Sequence, residues 1–287
     1  GHARLSIIDL SPLGHQPMID SVTGNALVFN GEIYNFQSLR RECETAGDTF
    51  RSQSDTEVML ALYRRYGIAC LAKLRGMFAF ALWDESKRSV FLARDRVGKK
   101  PLNYGLTHNG LVFSSEIDSL ARHPGLSREM DEEALDLYLQ LQYIPAPWSI
   151  YKSIRKLPPA HYAIYDKNGF HIHKYWDLNY RSTIRISEEE ALERLEDKLS
   201  EAIRLRMIAD VPLGALLSGG VDSSVVVALM AKQSQQPVRT YSIGFKEETF
   251  NELPYAQMVA DRYSTKHYPE IADPEIEPFL SELAKHY

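Results

Sequence analysis

Cysteine is scarce in this sequence, whose 287 residues contain only Cys43 and Cys70. Two cysteines so far apart exclude a disulfide framework and a zinc site built from several cysteines, and they favour a reducing compartment, so we expect a cytoplasmic protein. Charge of one sign is also lacking, since 33 basic residues stand against 38 acidic ones. The net charge of −5 gives no electrostatic footprint for nucleic acid or an anionic membrane. Small-molecule substrates are therefore favoured.

Long hydrophobic runs are missing too, and none approaches the length that spans a membrane. What remains is an ordinary globular composition, 44% apolar and 25% charged, in a chain long enough for two domains. The sequence begins with Gly1 and not with methionine, so we expect it to be an inner segment of a longer protein.

The first half of the sequence is rich in strand signals. Alternation and turn residues predict strands over residues 5–10, 26–29, 77–83 and 89–94, the last two joined as a hairpin. Helical periodicity marks residues 36–46, 56–66 and 131–141. Asn168-Gly169 predicts the turn of a second hairpin within residues 162–176. Helices flanking hairpins indicate an α+β domain, which we place at residues 1–180.

The second half follows a different pattern, which we assign to a domain at residues 187–287. Ser187 and Glu190 form a capping box ahead of an amphipathic helix whose apolar positions are Leu192, Leu195, Leu199 and Ile203. Predicted strands at 211–217, 238–245 and 266–271 then alternate with helices at 225–232 and 252–263, the start of a parallel, doubly wound α/β sheet. About three strands are fewer than such sheets usually have, so we expect the domain to continue beyond this sequence.

A glycine loop lies between the first strand and the first helix of that pattern. Gly219 and Gly220 have no Cβ, so their N–H groups can approach phosphate oxygens, and the helix start adds a partial positive charge. Ser223 and Ser224 add hydroxyl donors. Asp222 would repel phosphate unless a divalent cation bridges them, so the loop predicts Mg²⁺ as well as a nucleotide.

No lysine follows the glycines, which separates this loop from the Walker loop of kinase-like NTPases. In the simplest interpretation Asp222 or Ser223 caps the helix and the glycines turn the chain, but a cap needs one such residue and not the whole loop. The loop resembles the pyrophosphate-binding loop of the ATP-pyrophosphatase family, whose members adenylylate a carbonyl oxygen. It consists of Ser218, Gly219, Gly220, Val221, Asp222, Ser223 and Ser224.

Four short polar segments stand out in the first half. They are Arg4 with residues 5–9, Asn30-Gly31-Glu32 with residues 33–35, residues 54–57 around Asp55, and residues 94–98 around Arg94-Asp95. Taken singly, three of the four have a simple structural interpretation: a tight turn at Asn30-Gly31, a helix N-cap at Asp55, and a surface ion pair at Arg94-Asp95. These simple interpretations do not explain why all four segments occur together in this order.

Together the segments resemble the glutaminase domain of class II glutamine amidotransferases, and specifically that of glutamine-hydrolysing asparagine synthetases. The resemblance covers essentially the whole chain, and further shared motifs are Gly14-His15-Gln16-Pro17, Gly76-Met77-Phe78-Ala79-Phe80, Lys100-Pro101-Leu102 and Ser115-Glu116. It implies an N-terminal-nucleophile αββα sandwich followed by the start of a Rossmann-like ATP-pyrophosphatase domain.

The resemblance also implies roles for individual residues. Arg4 would hold the α-carboxylate of glutamine and Asp55 its ammonium group. Asn30 and the N–H of Gly31 would form an oxyanion hole, and Glu32 would orient the substrate. In the second domain, residues 218–224 would hold the phosphates of ATP and Asp222 would bind Mg²⁺. Leu217 and Ile243 would frame the adenine and ribose, although plain core positions explain these two equally well.

The implied reaction joins L-aspartate, L-glutamine and ATP to give L-asparagine, L-glutamate, AMP and diphosphate, through β-aspartyl-AMP and channelled ammonia. The implied partners are glutamine, ATP and aspartate, in a family that commonly dimerises, without nucleic acid or membrane. The family nucleophile is an N-terminal cysteine, and neither Cys43 nor Cys70 occupies a matching position. We therefore expect this segment alone not to hydrolyse glutamine.

Two other readings of the sequence stay open. In β-lactam synthetase-like and polysaccharide- or peptide-amidating relatives, similar motifs serve the activation of a different carboxylate. A non-catalytic module would keep the glutamine and ATP pockets but release no pyrophosphate.

Overall fold

The computed structural model describes residues 1–273 together with Leu280 and Leu283. The chain divides into two compact units, Gly1–Thr183 and Ile184–Tyr287, which we call unit 1 and unit 2. Within the described residues, no helix has the length and apolar character needed to cross a bilayer.

Unit 1 contains nine strands and four α-helices. The strands are β1 Met18–Ile19, β2 Ala26–Ile33, β3 Gly76–Asp84, β4 Ser89–Arg94, β5 Asn103–Thr107, β6 Gly110–Ser114, β7 Ile154–Lys156, β8 His161–Asp166 and β9 Gly169–Lys174. The helices are α1 Phe36–Thr45, α2 Asp55–Tyr66, α3 Ile117–Ala121 and α4 Glu132–Leu141. The predicted helices at 36–46, 56–66 and 131–141 are confirmed to within one residue at each end.

Two antiparallel sheets stack in unit 1. The larger has the order β1-β2-β3-β4-β8-β9 and the smaller the order β6-β5-β7. Both predicted hairpins are present, with Asp84 opposite Ser89 in β3–β4 and Asp166 opposite Gly169 in β8–β9. An apolar layer joins the sheets; it includes Ala79, Ala81, Leu92, Leu102, Tyr104, Leu157 and Ala163.

Helices cover the two outer faces. On the larger sheet, Tyr63 of α2 stacks on Phe91 of β4 with ring centroids 5.5 Å apart. On the smaller sheet, Leu120 and Ala121 of α3 pack with Ile154 of β7. The layers are thus helix, sheet, sheet and helix, and the αββα fold class is confirmed. The strands of the smaller sheet had no prediction of their own.

The predicted strand at residues 5–10 is wrong. This segment forms no strand, because the Arg4 guanidinium donates hydrogen bonds to the carbonyls of Ile8 and Asp9 and folds the chain back on itself. Asp9 takes a left-handed conformation, with φ of 56°, which no strand allows.

Unit 2 is a parallel α/β arrangement. Its elements are α5 Glu188–Arg206, β10 Gly214–Leu216, α6 Val221–Gln233, β11 Arg239–Phe245, α7 Leu253–Arg262 and β12 Lys266–Ala272. The strands pair in the order β10-β11-β12, all parallel, as the alternating pattern predicts. The strand predicted at 211–217 shrinks to three residues, because Pro212 has no N–H to donate to a ladder.

The long helix of unit 2 starts as predicted, with the Ser187 hydroxyl accepting a hydrogen bond from the Glu190 N–H at 3.2 Å. Of its four predicted apolar positions, Ile203 is buried, against Leu229 and Met230 of α6. The other three, Leu192, Leu195 and Leu199, are exposed.

Candidate functional sites

A cavity of about 420 Å³ in unit 1 is lined by all five residues to which the sequence assigned a role in glutamine binding, Arg4, Asn30, Gly31, Glu32 and Asp55. These residues come from three separate segments: the loop before β1, the end of β2 and the first turn of α2. A positive and a negative group thus share one enclosure. We call it the glutamine cavity, after the predicted ligand.

Arg4 is held in place by backbone. Its Nη2 donates to the Ile8 carbonyl at 2.7 Å and to the Asp9 carbonyl at 2.9 Å. Gly14 makes room for the guanidinium, since a Cβ at Gly14 would lie 2.3 Å from Arg4 Nη1. The guanidinium is therefore fixed before any ligand arrives.

Asp55 is the opposite charge in the cavity. It is 6% exposed, and its Oδ2 accepts a hydrogen bond from the Ile33 N–H at 2.9 Å. Burial raises the pKa of Asp55 above its ordinary value, although the Ile33 and Thr56 N–H groups and Arg4 act in the opposite direction. The N-cap of α2 is not Asp55 but Ser54, whose hydroxyl accepts from the Thr56 N–H. Asp55 is thus left to face the cavity.

Gly31 lies where β2 and β3 approach each other closely. A Cβ at Gly31 would lie 2.1 Å from the Met77 carbonyl oxygen, and one at Gly76 would lie 2.2 Å from the Glu32 carbonyl oxygen. Residue 31 therefore has to be glycine because the two strands pack too closely for a side chain, and not because the chain makes a tight turn there.

Asp95 and Arg94 do not form the surface ion pair that a single-motif interpretation gives. Asp95 is 1% exposed, and its carboxylate accepts hydrogen bonds from four backbone N–H groups, those of Phe78, Val97, Lys99 and Lys100. Arg94 donates to the carbonyls of Lys100, Leu157 and Gly98. This loop delivers Lys100 to the wall of the glutamine cavity.

The two cysteines are packing residues. Cys43 and Cys70 are both fully buried, and neither lines the glutamine cavity. Burial raises the pKa of the Cys70 thiol to about 12 and also raises that of Cys43. Both thiols are thus protonated and shielded at neutral pH, which makes them poor nucleophiles.

In unit 2 the glycine loop joins β10 to α6 as the sequence predicts. Gly219 has a φ of +82°, and a Cβ there would lie 2.5 Å from Tyr255 Cβ and 2.6 Å from the Ala256 nitrogen. The loop is otherwise held by its own hydroxyls: Ser218 Oγ lies 3.0 Å from Ser223 Oγ, and Ser224 Oγ donates to the Gly220 carbonyl at 2.7 Å.

The other predicted nucleotide contacts differ in exposure. Asp222 is exposed in the first turn of α6, and Val221 beside it is 81% exposed. Ile243 on β11 is 65% exposed, whereas the Leu217 side chain is buried with Val227 and Ala256. The Leu217 N–H donates to the Tyr241 carbonyl and its own carbonyl accepts from the Ser242 hydroxyl, so Leu217 can offer a ligand only the second acceptor site of that carbonyl, while Ile243 can offer its side chain.

Among the described residues, no three His, Cys, Asp or Glu side chains lie close enough to hold a metal ion by themselves. A cation at Asp222 would need oxygen ligands from a bound nucleotide. That is how Mg²⁺ is usually held in nucleotide sites, by one or two carboxylates and the substrate phosphates.

Comparison with known proteins matches both units. The family model described as "Glutamine amidotransferase domain" matches residues 1–176, and the one described as "Asparagine synthase" matches residues 194–287. A putative glutamine-hydrolysing asparagine synthetase of Methanocaldococcus jannaschii is 37% identical over 287 residues, covering 93% of this chain and 55% of the relative. Asparagine synthetase 1 of Bacillus subtilis is 35% identical, covering 99% of this chain and 44% of the relative.

A relative with a different name is also similar. Amidase chry2 of Gibberella zeae is 39% identical over 241 residues, covering 82% of this chain and 35% of the relative. The chain spans about half the length of the two synthetase relatives it matches.

Proposed function

The chain belongs to the glutamine amidotransferase family and continues into an asparagine synthase domain, and from this we propose that it is part of a glutamine-dependent, ATP-using asparagine synthetase. In this proposal residues 1–180 bind the glutamine from which the whole protein takes the amide nitrogen. Residues 187–287 hold ATP, with which the β-carboxylate of aspartate is activated.

The glutamine cavity is the observation that carries the proposal. Arg4 and Asp55 stand in one enclosure as opposite charges, and glutamine carries the complementary pair on its α-carbon. Arg4 Nη2 is committed to the Ile8 and Asp9 carbonyls, so the remaining N–H groups of the guanidinium would donate to the α-carboxylate, while the buried Asp55 carboxylate binds an ammonium strongly. With both ends held, the side-chain amide extends towards Asn30 and Gly31. The Asn30 amide and the Gly31 N–H would stabilise the oxyanion that forms when the amide carbon is attacked.

The attacking thiolate is a different matter. Cys43 and Cys70 are buried away from the cavity, so the nucleophile of the family, an N-terminal cysteine, is not supplied by either. We propose that this chain of 287 residues binds glutamine without hydrolysing it.

Unit 2 would bind the triphosphate of ATP at its glycine loop. The N–H groups at the start of α6 and the Ser218 hydroxyl would be phosphate donors there, joined by the hydroxyls of Ser223 and Ser224 once these release the Gly220 carbonyl. Asp222 would hold Mg²⁺ together with phosphate oxygens, and the cation would screen the charge of the leaving pyrophosphate. An aspartate carboxylate oxygen attacks the α-phosphorus and releases pyrophosphate, and ammonia then displaces AMP from the acyl carbon.

The glutamine part is tested by calorimetric titration of the chain with L-glutamine. Arg4→Met removes one charge contact and should weaken binding at least about tenfold, since charge-assisted hydrogen bonds contribute about 1.5–3 kcal/mol. The matched control is Arg88→Met, because Arg88 lies in the exposed turn between β3 and β4. Equal affinities of the wild type and Arg4→Met would refute the proposed binding mode.

The pH dependence of the same titration tests Asp55. Only the ionised carboxylate pairs with the ammonium group, and burial raises the pKa of Asp55. Affinity should therefore fall on acidification, beginning at a higher pH than the ordinary aspartate pKa of about 3.9 would give. Asp55→Asn should bind weakly at every pH and lose this dependence. A wild-type affinity that stays constant down to that ordinary pKa would contradict the assignment.

The similarity to an amidase favours a second candidate, in which the same chemistry serves an acceptor other than aspartate. ATP–pyrophosphate exchange by the full-length protein distinguishes the two. Exchange that depends on L-aspartate supports the synthetase, whereas exchange that aspartate does not stimulate supports another carboxylate.

A further inference from the structure

We propose that Asp9 is a positioning residue that sets the separation and orientation of the two charged groups of the glutamine cavity, Arg4 and Asp55. The inference rests on the proposed function, since it concerns how the cavity selects glutamine. Asp9 does not line the cavity, so it acts through the two residues that do.

The carboxylate of Asp9 ties its loop to the segment that leads into α2. Its Oδ2 accepts a hydrogen bond from the Gln53 N–H at 2.7 Å, across 44 residues of sequence. Gln53 stands two positions before Asp55, and Ser54 between them caps the helix. Whatever fixes the Gln53 backbone therefore also fixes where α2 begins and where Asp55 lies.

The backbone of Asp9 holds the other charge. Its carbonyl accepts from Arg4 Nη2 at 2.9 Å, beside the Ile8 carbonyl at 2.7 Å. This carbonyl points back at Arg4 because the Asp9 backbone is left-handed, with φ of 56°. Aspartate and asparagine tolerate that region better than other non-glycine residues.

Asp9 is itself rigidly held. It is 7% exposed, and its Oδ1 accepts from the Ser11 N–H at 3.0 Å and the Ser11 hydroxyl at 2.5 Å. Burial alone would raise the pKa of Asp9, but the hydrogen bonds from Ser11 and Gln53 and the charge of Arg4 bring it below the ordinary value. One residue thus joins, by side chain and backbone, the segments that carry both charged groups.

The variant that tests this is Asp9→Asn, which keeps the size and the tolerance of a left-handed backbone. An amide has one acceptor oxygen, so it cannot accept from both Ser11 N–H and Gln53 N–H through separate oxygens. The matched control is Asp20→Asn. Asp20 is also 7% exposed, and it accepts from the Val22 N–H, the Thr23 hydroxyl and the Arg64 guanidinium, but it lies outside the glutamine cavity.

Three ligands are titrated against each protein: L-glutamine, glutaramate, which lacks the ammonium group, and γ-aminobutyramide, which lacks the carboxylate. If Asp9 sets the geometry of both charges, Asp9→Asn weakens L-glutamine binding about tenfold. Each analogue is weakened much less, because it uses one charge contact only, so discrimination between glutamine and the analogues falls. Asp20→Asn lowers the melting temperature but leaves all three affinities unchanged.

A purely structural role would lower the melting temperature of Asp9→Asn and leave the discrimination as it is in the wild type, and that result overturns the proposal. Failure of the proposed function looks different: the wild type would not discriminate L-glutamine from its analogues at all, which would overturn both proposals together.

Discussion

The two candidate sites are built in contrasting ways. In and beside the glutamine cavity, buried carboxylates are fixed by donors far away in the sequence: Asp55 in the cavity wall by the Ile33 N–H across 22 residues, and Asp9 behind it by the Gln53 N–H across 44. In the glycine loop of unit 2, the hydrogen bonds of Ser218, Ser223 and Ser224 span at most five residues and are exposed.

This difference separates stability from ligand binding. Where a site is assembled from distant segments, the same contacts hold the fold and the binding geometry, so a substitution damages both. Where a loop is held by its own short-range contacts, a substitution can change binding while the surrounding unit stays folded. The three predictions below test this separation, from the largest expected effect to the smallest.

Gly31→Ala should cause the largest loss of unfolding free energy. Its Cβ would lie 2.1 Å from the Met77 carbonyl oxygen, so β2 and β3 must move apart. We expect unit 1 to lose about 3 kcal/mol of unfolding free energy, the upper end of ordinary overpacking, and L-glutamine binding to be lost as well. Urea titration followed by tryptophan fluorescence measures this, since Trp83, Trp148 and Trp176 all lie in unit 1.

The control is Gly47→Ala. Gly47 also has a positive φ, of 95°, but a Cβ there has no atom within 4 Å. Gly47→Ala should therefore lower the unfolding free energy of unit 1 only through backbone strain, by about 1–2 kcal/mol, and leave glutamine affinity unchanged. If Gly31→Ala proved no worse than Gly47→Ala, the close approach of β2 and β3 would not be what Gly31 provides.

Gly219→Ala should mainly damage nucleotide binding. The added Cβ would lie 2.5 Å from Tyr255 Cβ at a φ of +82°, so the loop must move away from its packing position against α7. We expect about 2 kcal/mol of destabilisation in unit 2, read by hydrogen exchange of α6 amides, and Mg²⁺-ATP binding weakened more than about tenfold.

Gly220→Ala is its partner control. Gly220 has a φ of −68°, and the nearest atom to an added Cβ is Ser218 Oγ at 3.4 Å. Alanine at this N-cap position should lower the unfolding free energy of unit 2 by about 0.5 kcal/mol. Equal loss of ATP affinity in both variants would mean that phosphate binding depends on the backbone freedom of the two glycines and not on the packing of Gly219 against α7.

The same contrast explains what could be predicted from sequence. The glycine loop and its flanking strand and helix are local, so the pattern around Gly219 and Gly220 was enough to predict that they exist, although the strand is shorter than predicted and the helix starts four residues earlier, at Val221. The β3–β4 hairpin and α2 were predicted for the same reason, since periodicity and turn residues lie within a few positions of each other.

The glutamine cavity required more than local pattern. Arg4, Asn30 and Asp55 were assigned through the combined motifs, and nothing local shows that they meet. Asp9 received no role of its own, and Asp95 taken singly was interpreted as half of a surface ion pair, because the sequence does not show which backbone N–H groups a buried carboxylate accepts from. The strand predicted at residues 5–10 failed because alternating apolar residues cannot reveal that Arg4 turns the chain back.

The smallest expected effect is on the stability of unit 1 at acidic pH. Asp84 is 2% exposed and accepts hydrogen bonds from Tyr63 Oη at 2.8 Å and Lys87 Nζ at 2.7 Å. Burial alone would raise the pKa of Asp84, but the bonds from Lys87, Ser86 and Tyr63 bring it well below its ordinary value. In unit 2, Glu189 also has a lowered pKa, through hydrogen bonds at the start of α5, but its side chain is exposed.

A carboxyl whose pKa is lower when folded stabilises the fold above its unfolded pKa, about 3.9, and loses that contribution as pH falls towards the folded value. Unit 1 should therefore weaken below about pH 4 sooner than unit 2. Asp84→Asn should cost about 1 kcal/mol at neutral pH, a modest figure because Lys87 is 63% exposed on its side chain. The variant should also flatten the acid limb of the tryptophan-detected transition. If that limb keeps its slope, the acid sensitivity of unit 1 lies in its other buried carboxylates, Asp9 among them.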